Sequence, residues 1–360
     1  MADNIYSVIK ASGCFIPPGI IKNSDFLSNV FYDAEGKILG VPNEEIISKF
    51  KKITNISERR HLENQYVTSD MAYFAASDAI KSSDIDPETI DYVIMAHNFG
   101  DVKADNVRSD MVPSLAARVK HRLGIKNPFA VAYDVIFGCP GWLQGVIQAN
   151  YYIKSGDAKR VLVIGAEALS RISDPHDRDS MIYSDGAGAV IWEAKESNEP
   201  VGILSHATRS DTHTHAHLLW MNKSYNPGHQ GEEIFLKMNG RRLYEYALNN
   251  VPQVVKQCIE KANLTLEEID KVLIHQANEK MDEAILERLF KLYDNAVIPS
   301  GIMPMVIDKL GNSSVATIPI LLDLILKGKM ESQKLEPGYN VVFASVGAGM
   351  NINSVTYRFA

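Results

Sequence analysis

Cys139 is the residue of this sequence best placed to do chemistry. It follows an apolar run at residues 129–137, which we interpret as a buried strand, and then Gly138, which allows a sharp turn. Pro140 comes next, and proline is favoured at the first position of a helix because its missing N–H is not needed there. Cys139 would then lie at the positive end of a helix dipole, which favours thiolate over thiol. The pattern predicts a nucleophilic cysteine, and a buried structural cysteine is the alternative.

Three further segments bring together polar residues and glycines. They are His275-Gln276-Ala277-Asn278, Gly311-Asn312-Ser313-Ser314 and Ser184-Asp185-Gly186-Ala187-Gly188-Ala189. Taken singly, His275 is most simply a core histidine with satisfied hydrogen bonds, and Asn312 is most simply a helix N-cap. Their occurrence together with Cys139 gives them a chemical interpretation.

Together these segments resemble β-ketoacyl-acyl-carrier-protein synthase III, a family of the thiolase superfamily. The resemblance covers nearly the whole chain and is densest between residues 133 and 190. Its most specific part is His-Gln-Ala-Asn with the downstream Asn-Ser-Ser. The resemblance implies an α/β protein with a thiolase-like five-layer αβαβα fold, built from two duplicated halves. It implies neither a metal nor a cofactor.

The resemblance also implies a role for each residue of the site. Cys139 would attack an acyl thioester and carry the acyl group. The backbone N–H groups of Cys139 and Ala348 would form the oxyanion hole. His275 and Asn312 would donate hydrogen bonds to the thioester oxygen of the second substrate, whose enolate attacks the acyl group on Cys139. The candidates for substrate binding are Arg178, Phe137, Val112 and Asn278.

Residues expected near coenzyme A depart from the family's pattern. Where relatives place a Trp and an Arg around the adenine, the matching positions here are Lys49 and Ile53. Arg178 matches the family's other nucleotide-contacting arginine, and Phe137 replaces a small residue. Because an aromatic stacking contact is lost, we expect substrates bound to acyl carrier protein to be preferred over acyl-CoA.

Three functions are compatible with this resemblance. The first is a condensing enzyme, either the housekeeping starter of fatty-acid synthesis or a specialised ketosynthase such as those that make dialkylresorcinol precursors. The second is an acyltransferase that passes the acyl group to an oxygen or nitrogen nucleophile, and the third is a non-catalytic partner subunit. The intact set of Cys139, His275 and Asn312 favours condensation, and the altered coenzyme A residues favour the specialised version. A malonyl unit and a longer β-ketoacyl unit both fit as the second substrate.

A second substrate without a free carboxylate must lose a proton, which requires a base. Neutral His275 is one candidate, and the aspartates at residues 101, 105 and 110 are others, although most loop carboxylates are simply solvated. We expect a homodimer, as in relatives, because the polar loop predicted at residues 98–111 leads into an apolar helix that can reach a neighbour's pocket. Residues 57–61 are predicted to form a charged turn.

An internal repeat indicates how the polar segments are positioned. Residues 85–95 match residues 264–274, and chance similarity between two short α/β segments is the alternative. Strands alternate with helices in both parts of the chain, which argues for two related α/β units packed together. We place the first half, with the nucleophilic cysteine, at residues 1–198, and the second half, with the histidine and asparagine, at residues 199–360.

Composition narrows the class of protein. The 360 residues are 46% hydrophobic and 22% charged, as in a globular protein, and the net charge of −7 argues against a nucleic-acid partner. The three scattered cysteines form no disulfide framework and indicate a reducing cytoplasm. No apolar segment is long enough to span a membrane, and no signal peptide is visible.

Three histidines alternate at positions 213, 215 and 217. On a strand their imidazoles would share one face, and a zinc site is one interpretation of that arrangement. A solvated histidine-rich loop or strand is the other. Because no pattern for a fourth ligand accompanies the histidines, we expect no metal.

Overall fold

The structure, a computed structural model, describes residues 5–294 and 297–360. Its strands are β1 (Ile5–Phe15), β2 (Gly19–Lys22), β3 (Glu58–His61), β4 (Tyr92–Ala96), β5 (Asp101–Lys103), β6 (Asn106–Asp110), β7 (Val131–Val135), β8 (Arg160–Ala168), β9 (Asp185–Glu196), β10 (Gly202–Ser210), β11 (Leu219–Asn222), β12 (Phe235–Met238), β13 (Lys271–Ile274), β14 (Asn340–Gly347) and β15 (Asn351–Arg358). Its α-helices are α1 (Asn43–Thr54), α2 (Thr68–Lys81), α3 (Leu115–Leu123), α4 (Gly141–Ser155), α5 (Thr212–His215), α6 (Gly240–Lys261), α7 (Glu279–Lys291), α8 (Ile307–Leu310) and α9 (Thr317–Leu326).

Two sheets form the centre of the described chain. The first has the strand order β1-β9-β8-β4-β7, and the second has the order β10-β15-β14-β13. In the first sheet β4 runs parallel to both β7 and β8, and β9 is antiparallel to its neighbours β1 and β8. In the second sheet β13 and β14 are parallel, whereas β15 is antiparallel to both β10 and β14. Both sheets therefore combine a parallel part with an antiparallel edge.

The duplication predicted from the repeat is visible in the sheet order. The two matching sequence segments end in β4 and in β13, which occupy equivalent places in the two sheets. The order β1-β9-β8-β4 is repeated as β10-β15-β14-β13. The predicted boundary between the halves falls in the connection between β9 and β10, and its position stays a prediction.

Five layers of helix and sheet follow from the buried apolar faces. Helices α4 and α9 lie between the sheets, because their apolar residues pack in one cluster with residues of both sheets. Helices α2 and α3 cover the outer face of the first sheet, and α6 and α7 cover the outer face of the second. The alternation of side chains along β8 explains this layering. Val161 and Val163 pack in the middle layer, whereas Leu162 and Ile164 pack in the outer layer.

Two expectations for the first half are wrong. The segment at residues 129–137 contains an edge strand, β7, in which Val131 is 46% exposed, and the flanking Phe129 and Ile136 are exposed at 85% and 58%. The polar loop at residues 98–111 contains the hairpin of β5 and β6. The apolar composition of the segment predicted a strand. Its position at the edge of the sheet depends on the order of the strands, which cannot be predicted from a local sequence pattern.

The predicted charged turn at residues 57–61 is also wrong. Four of these residues form β3, in which Arg59 is completely buried. Its guanidinium donates hydrogen bonds to the carbonyl oxygens of Met181 (2.9 Å) and Ile21 (3.1 Å) and to Oδ1 of Asn23 (2.8 Å). These partners are distant in sequence, so burial of the arginine could not be read from its neighbours.

None of the helices in the two described ranges is long and apolar enough to cross a membrane.

Candidate active site

Cys139 lies in a tight turn between β7 and α4. Gly138 has φ of +64°, a left-handed conformation that residues with a side chain rarely adopt. Pro140 is the N-cap of α4, so the thiol lies immediately before the helix. The predicted order of strand, glycine, cysteine and helix is thus confirmed, and it places Cys139 where the helix N-terminus faces the interior.

The thiol of Cys139 is protonated in the resting site. Burial raises its pKa to about 11, the nearby carboxyl of Glu167 raises it as well, and the Ser314 hydroxyl together with the cysteine's own backbone N–H lowers it. Burial is thus the largest effect on the thiol, and it opposes the thiolate. That the N-terminus of α4 favours the thiolate stays a prediction. A thiolate has to form while the substrate is bound.

His275 follows β13 directly and is buried, at 3% relative exposure. Its backbone N–H donates to the carbonyl oxygen of Ala344 at 2.8 Å, which extends the pairing of β13 with β14. Nδ1 lies 2.7 Å from the hydroxyl of Thr317, and that hydroxyl can donate to the ring or accept from it. Burial lowers the imidazole pKa to about 4, so His275 is neutral at physiological pH. A neutral ring can donate a hydrogen bond or accept a proton, depending on its tautomer.

Asn312 is fixed by its backbone and by one side-chain atom. Its N–H donates to the Ile182 carbonyl at 2.9 Å, and its own carbonyl accepts from the Ser184 N–H at 2.8 Å. Its Oδ1 accepts from the Ser314 N–H at 2.8 Å. Since the amide oxygen is occupied in this way, the Nδ2 group is the part of the side chain available for a substrate oxygen.

Two turns from opposite halves of the chain meet at Cys139. A Cβ atom at Gly347 would lie 2.5 Å from the backbone nitrogen of Cys139, and one at Gly138 would lie 2.6 Å from the backbone nitrogen of Ala348. Only glycines permit this approach. The two turns that carry the backbone nitrogens of Cys139 and Ala348 therefore pack directly against each other.

One cavity of about 380 Å³ connects these groups. Cys139, His275, Asn312 and Ala348 all line it. Its remaining wall is mainly apolar and is formed by side chains that include Phe99, Ile136, Phe137, Leu169, Leu219, Trp220, Met221, Leu236, Met238 and Leu243. Such a wall suits a hydrocarbon chain next to the thiol.

The four predicted substrate-binding residues are placed differently. Phe137 lines the cavity. Asn278 is the N-cap of α7 and accepts a hydrogen bond from the Met281 N–H at 3.1 Å. Arg178 is exposed beside Asp179, and Val112 is exposed at 85%. The last three do not line the described cavity.

The roles of four residues that lie near the thiol or stabilise the site's loops were not predicted from the sequence. Glu167, Asn98 and Ser314 form a hydrogen-bonded chain that ends at Cys139. The sequence signal for Glu167 was its position within the apolar run that forms β8, because a charged residue is rarely buried there without a specific role. The completely buried Lys237, which pairs with Asp174 and Asp177, gave no comparable sequence signal.

The proposed bases and the histidine segment also differ from expectation. Asp101 and Asp110 both accept from Arg118 at 2.7 Å, which makes them structural partners of α3. The three histidines lie on α5 and the short 3₁₀ helix after it, so the strand with three imidazoles on one face does not form. Within residues 5–294 and 297–360 there is no cluster of three or more His, Cys, Asp or Glu side chains suited to a metal ion.

The five-layer fold and the cavity shared by a thiol, an imidazole and a carboxamide define a thiolase-type condensing enzyme. Comparison with family models agrees with this class. Residues 133–212 match the model of 3-oxoacyl-[acyl-carrier-protein] synthase III, and residues 259–359 match the model of that protein's C-terminal part. The chain belongs to the 3-oxoacyl-[acyl-carrier-protein] synthase III family, and it is a condensing enzyme.

Individual relatives cover the chain almost completely. The β-ketoacyl-[acyl-carrier-protein] synthase III of Staphylococcus aureus (strain JH1) is 33% identical over 352 residues, 98% of each chain. The crystal structure of the Thermus thermophilus synthase III is 30% identical, with a TM-score of 0.79 over 98% of this chain and 99% of that one. The priming β-ketosynthase of the R1128 polyketide pathway is 22% identical with a TM-score of 0.80 over 99% and 97% of the two chains, which shows a shared fold.

Proposed function

We propose that Cys139 attacks an acyl thioester and carries the acyl group. Its sulfur adds to the thioester carbonyl, and the oxyanion that forms accepts hydrogen bonds from the backbone N–H groups of Cys139 and Ala348. Collapse of this intermediate releases the carrier thiol and leaves the acyl group on the sulfur. What supports this is the contact between the two glycine turns beside the thiol.

In the second half-reaction, His275 and Asn312 donate to the thioester oxygen of the second substrate. A malonyl-type substrate loses CO2, and the electron pair left behind forms an enolate that these two donors stabilise. The enolate carbon attacks the acyl carbonyl, the new C–C bond forms, and Cys139 leaves as thiolate. The single observation that carries the proposal is the placement of Cys139, His275 and Asn312 on one apolar cavity.

We propose that both substrates are bound to acyl carrier protein and that free acyl-CoA is a poorer donor. Lys49 and Ile53 are exposed on α1, where the family has its adenine-binding pair. The end of α1 contacts the start of α7 through Asn55, whose side chain donates to Glu279 at 2.6 Å. α7 begins directly after the segment that carries His275, so α1 borders the region through which a carrier-bound substrate would enter.

The altered residues on α1 also support a specialised pathway, of the type that makes dialkylresorcinol precursors, over the housekeeping starter reaction. Both versions use the same residues and differ in the acyl groups that the cavity accepts. Long-chain acyl donors on both half-reactions are the property expected of the specialised version.

We further propose a homodimer that forms through β7. This strand is the edge of the first sheet, and its side chains and those beside it expose apolar surface at Val112, Phe129, Val131 and Ile136. An uncovered apolar edge strand is prone to pair with another chain. Pairing of two copies here would bring Val112 of one copy towards the other.

A reducing cytoplasm suits the free thiols of Cys14, Cys139 and Cys258.

Intact-protein mass spectrometry with a panel of acyl-CoA and acyl-carrier-protein thioesters tests this function. We expect an acyl adduct in the wild-type protein and none in Cys139→Ala, with Cys14→Ala as the matched control that keeps the adduct. Chain lengths that form the adduct would then be offered malonyl and β-ketoacyl second substrates, and the products identified. An adduct that persists in Cys139→Ala would show that Cys139 is not the nucleophile. Transfer of the acyl group to an oxygen or nitrogen acceptor would show that the protein is an acyltransferase instead.

A further inference from the structure

Glu167 is a buried carboxyl group to which the proposed reaction gives no role. It lies near the end of β8 with 1% relative exposure. Burial raises its pKa to about 7, although the neighbouring His97 and hydrogen bonds from Asn98 oppose this. A carboxyl so close to a nucleophilic thiol repels the thiolate and indeed raises the thiol pKa. Its presence there therefore requires a compensating reason.

The hydrogen bonds of Glu167 lead to Asn98. The backbone N–H of Asn98 donates to Oε1 at 3.2 Å and Oε2 at 3.0 Å, and Nδ2 donates to Oε2 at 2.7 Å. A carboxylate is only an acceptor, so it fixes the Asn98 amide with its NH₂ group towards Glu167. The second hydrogen of that NH₂ group is directed to Oγ of Ser314 at 3.3 Å.

Ser314 transmits this orientation to the thiol. Its hydroxyl has one hydrogen, and because the oxygen accepts from Asn98 that hydrogen is free to donate to Sγ of Cys139, 3.5 Å away. Ser314 has φ of +54°, a conformation rare for a residue with a side chain. The bond from its N–H to Asn312 holds it there. The chain of donors thus runs in one direction, from Asn98 to the sulfur.

We infer that Glu167 and Asn98 are positioning residues that orient the Ser314 hydroxyl to donate a hydrogen bond to Cys139, and so favour the thiolate that attacks the substrate. The inference rests on the proposed role of Cys139 as nucleophile. It assigns Glu167 two opposed effects, repulsion of the thiolate by its charge and alignment of the donor that stabilises it.

The rate of Cys139 alkylation by iodoacetamide tests this without any acyl substrate, because only the thiolate reacts. Rates would be compared at pH 8.5, above the pKa of Glu167, with Cys139→Ala as the background for the other two cysteines. The other titratable groups facing this region are His97 beside Glu167, Tyr183 beside Cys139, and His275 in the cavity. Peptide mapping would confirm the alkylated residue.

Ser314→Ala should slow alkylation about fivefold, the effect of losing one hydrogen bond to the sulfur. Asn98→Ala should slow it by a similar factor, and the double variant should be no slower than Ser314→Ala, since Asn98 acts through Ser314. Additive reductions of the alkylation rate in the double variant would contradict the inferred series of hydrogen bonds. An unchanged rate in folded Ser314→Ala would also contradict it.

Two neutral variants of similar size separate the effects of Glu167. Glu167→Gln keeps an acceptor for Asn98, whereas Glu167→Met removes it, and both remove the charge. We expect alkylation to be about fivefold faster in the Gln variant than in the Met variant, with melting curves showing that both are folded. Equal rates would overturn the positioning role. Failure of the proposed function is distinguishable, because it would appear as an acyl adduct outside Cys139 while these alkylation rates still obeyed the predicted order.

Discussion

At the scale of single residues, the site contains no preformed ion pair between cysteine and histidine. Burial raises the thiol pKa of Cys139 to about 11 and lowers the imidazole pKa of His275 to about 4. At neutral pH both groups are therefore uncharged. The proton of the thiol has to leave during attack, and His275 remains free to act on the second substrate. Both shifts fit the proposed division of labour, in which Cys139 carries the acyl group and His275 acts on the second substrate.

The acylation half-reaction should accelerate with rising pH. Because the pKa of Cys139 lies near 11, the thiolate fraction at a given pH grows as pH increases from 6 to 9, and we expect a several-fold gain per pH unit. Rapid-quench mass spectrometry of the acyl adduct would measure it. A plateau already reached at pH 7 would mean that the thiol pKa is far lower than burial requires.

Asn312→Ala should separate the two half-reactions. Its Nδ2 group is proposed to act only on the second substrate, so acyl-Cys139 should form at near the wild-type rate while condensation falls by about 10²–10³, the effect of removing one donor to an oxyanion. Adduct mass and product formation would be followed in the same sample, which makes acylation the internal control. Normal condensation would exclude Asn312 from the mechanism, and lost acylation would place it in the first step.

At the scale of elements, a buried cluster of one lysine and two aspartates connects β12 to the loop that precedes Arg178. Nζ of Lys237 lies 2.5 Å from Asp174 and 3.2 Å from Asp177, and 3.5 Å from the centre of the Tyr225 ring. Lys237 holds the pKa of the Asp174 carboxyl below its usual value through a hydrogen bond, against the effect of burial. β12 also forms part of the cavity wall, so this cluster connects the wall with the loop.

Lys237→Met should destabilise the protein by about 3–5 kcal/mol, because it leaves two carboxyl groups buried without their cation. Removing one of these carboxyls as well, in Lys237→Met/Asp174→Asn, should recover part of the loss. Urea denaturation would measure both, with the highly exposed Arg241→Ala as a control that changes little. A loss below about 1 kcal/mol for Lys237→Met would show that the cluster is not a structural clamp.

The elements that could be predicted are those determined by neighbouring residues. Gly138 and Pro140 fix the Cys139 turn locally, and the matching segments at β4 and β13 revealed the duplication. The failures involve partners far apart in sequence. Arg59 looked like part of a charged turn because Met181 and Ile21, which accept its hydrogen bonds, are remote. The roles of Ser314 and Glu167 in the hydrogen-bonded chain were not predicted for the same reason, since the chain joins residues from both halves.

At the scale of the whole molecule, the exposed edge of the first sheet should determine assembly. Val131→Lys places a charge on β7, at a position with 46% relative exposure, and should shift a dimer to the 40.0 kDa chain without unfolding it. Light scattering at micromolar concentration would measure the mass. Ile38→Lys, at another exposed apolar residue, is the matched control. A wild-type mass of one chain would contradict the proposed dimer directly.

The contact between the two glycine turns also determines when the site can form during synthesis and folding. During synthesis Cys139 leaves the ribosome well before Ala348, and until the second sheet has formed against the first the sulfur has neither its partner amide nor the imidazole. A nascent chain therefore lacks the groups proposed to stabilise an acylation intermediate. The proposed enzymatic acylation can begin only when the last strands are in place.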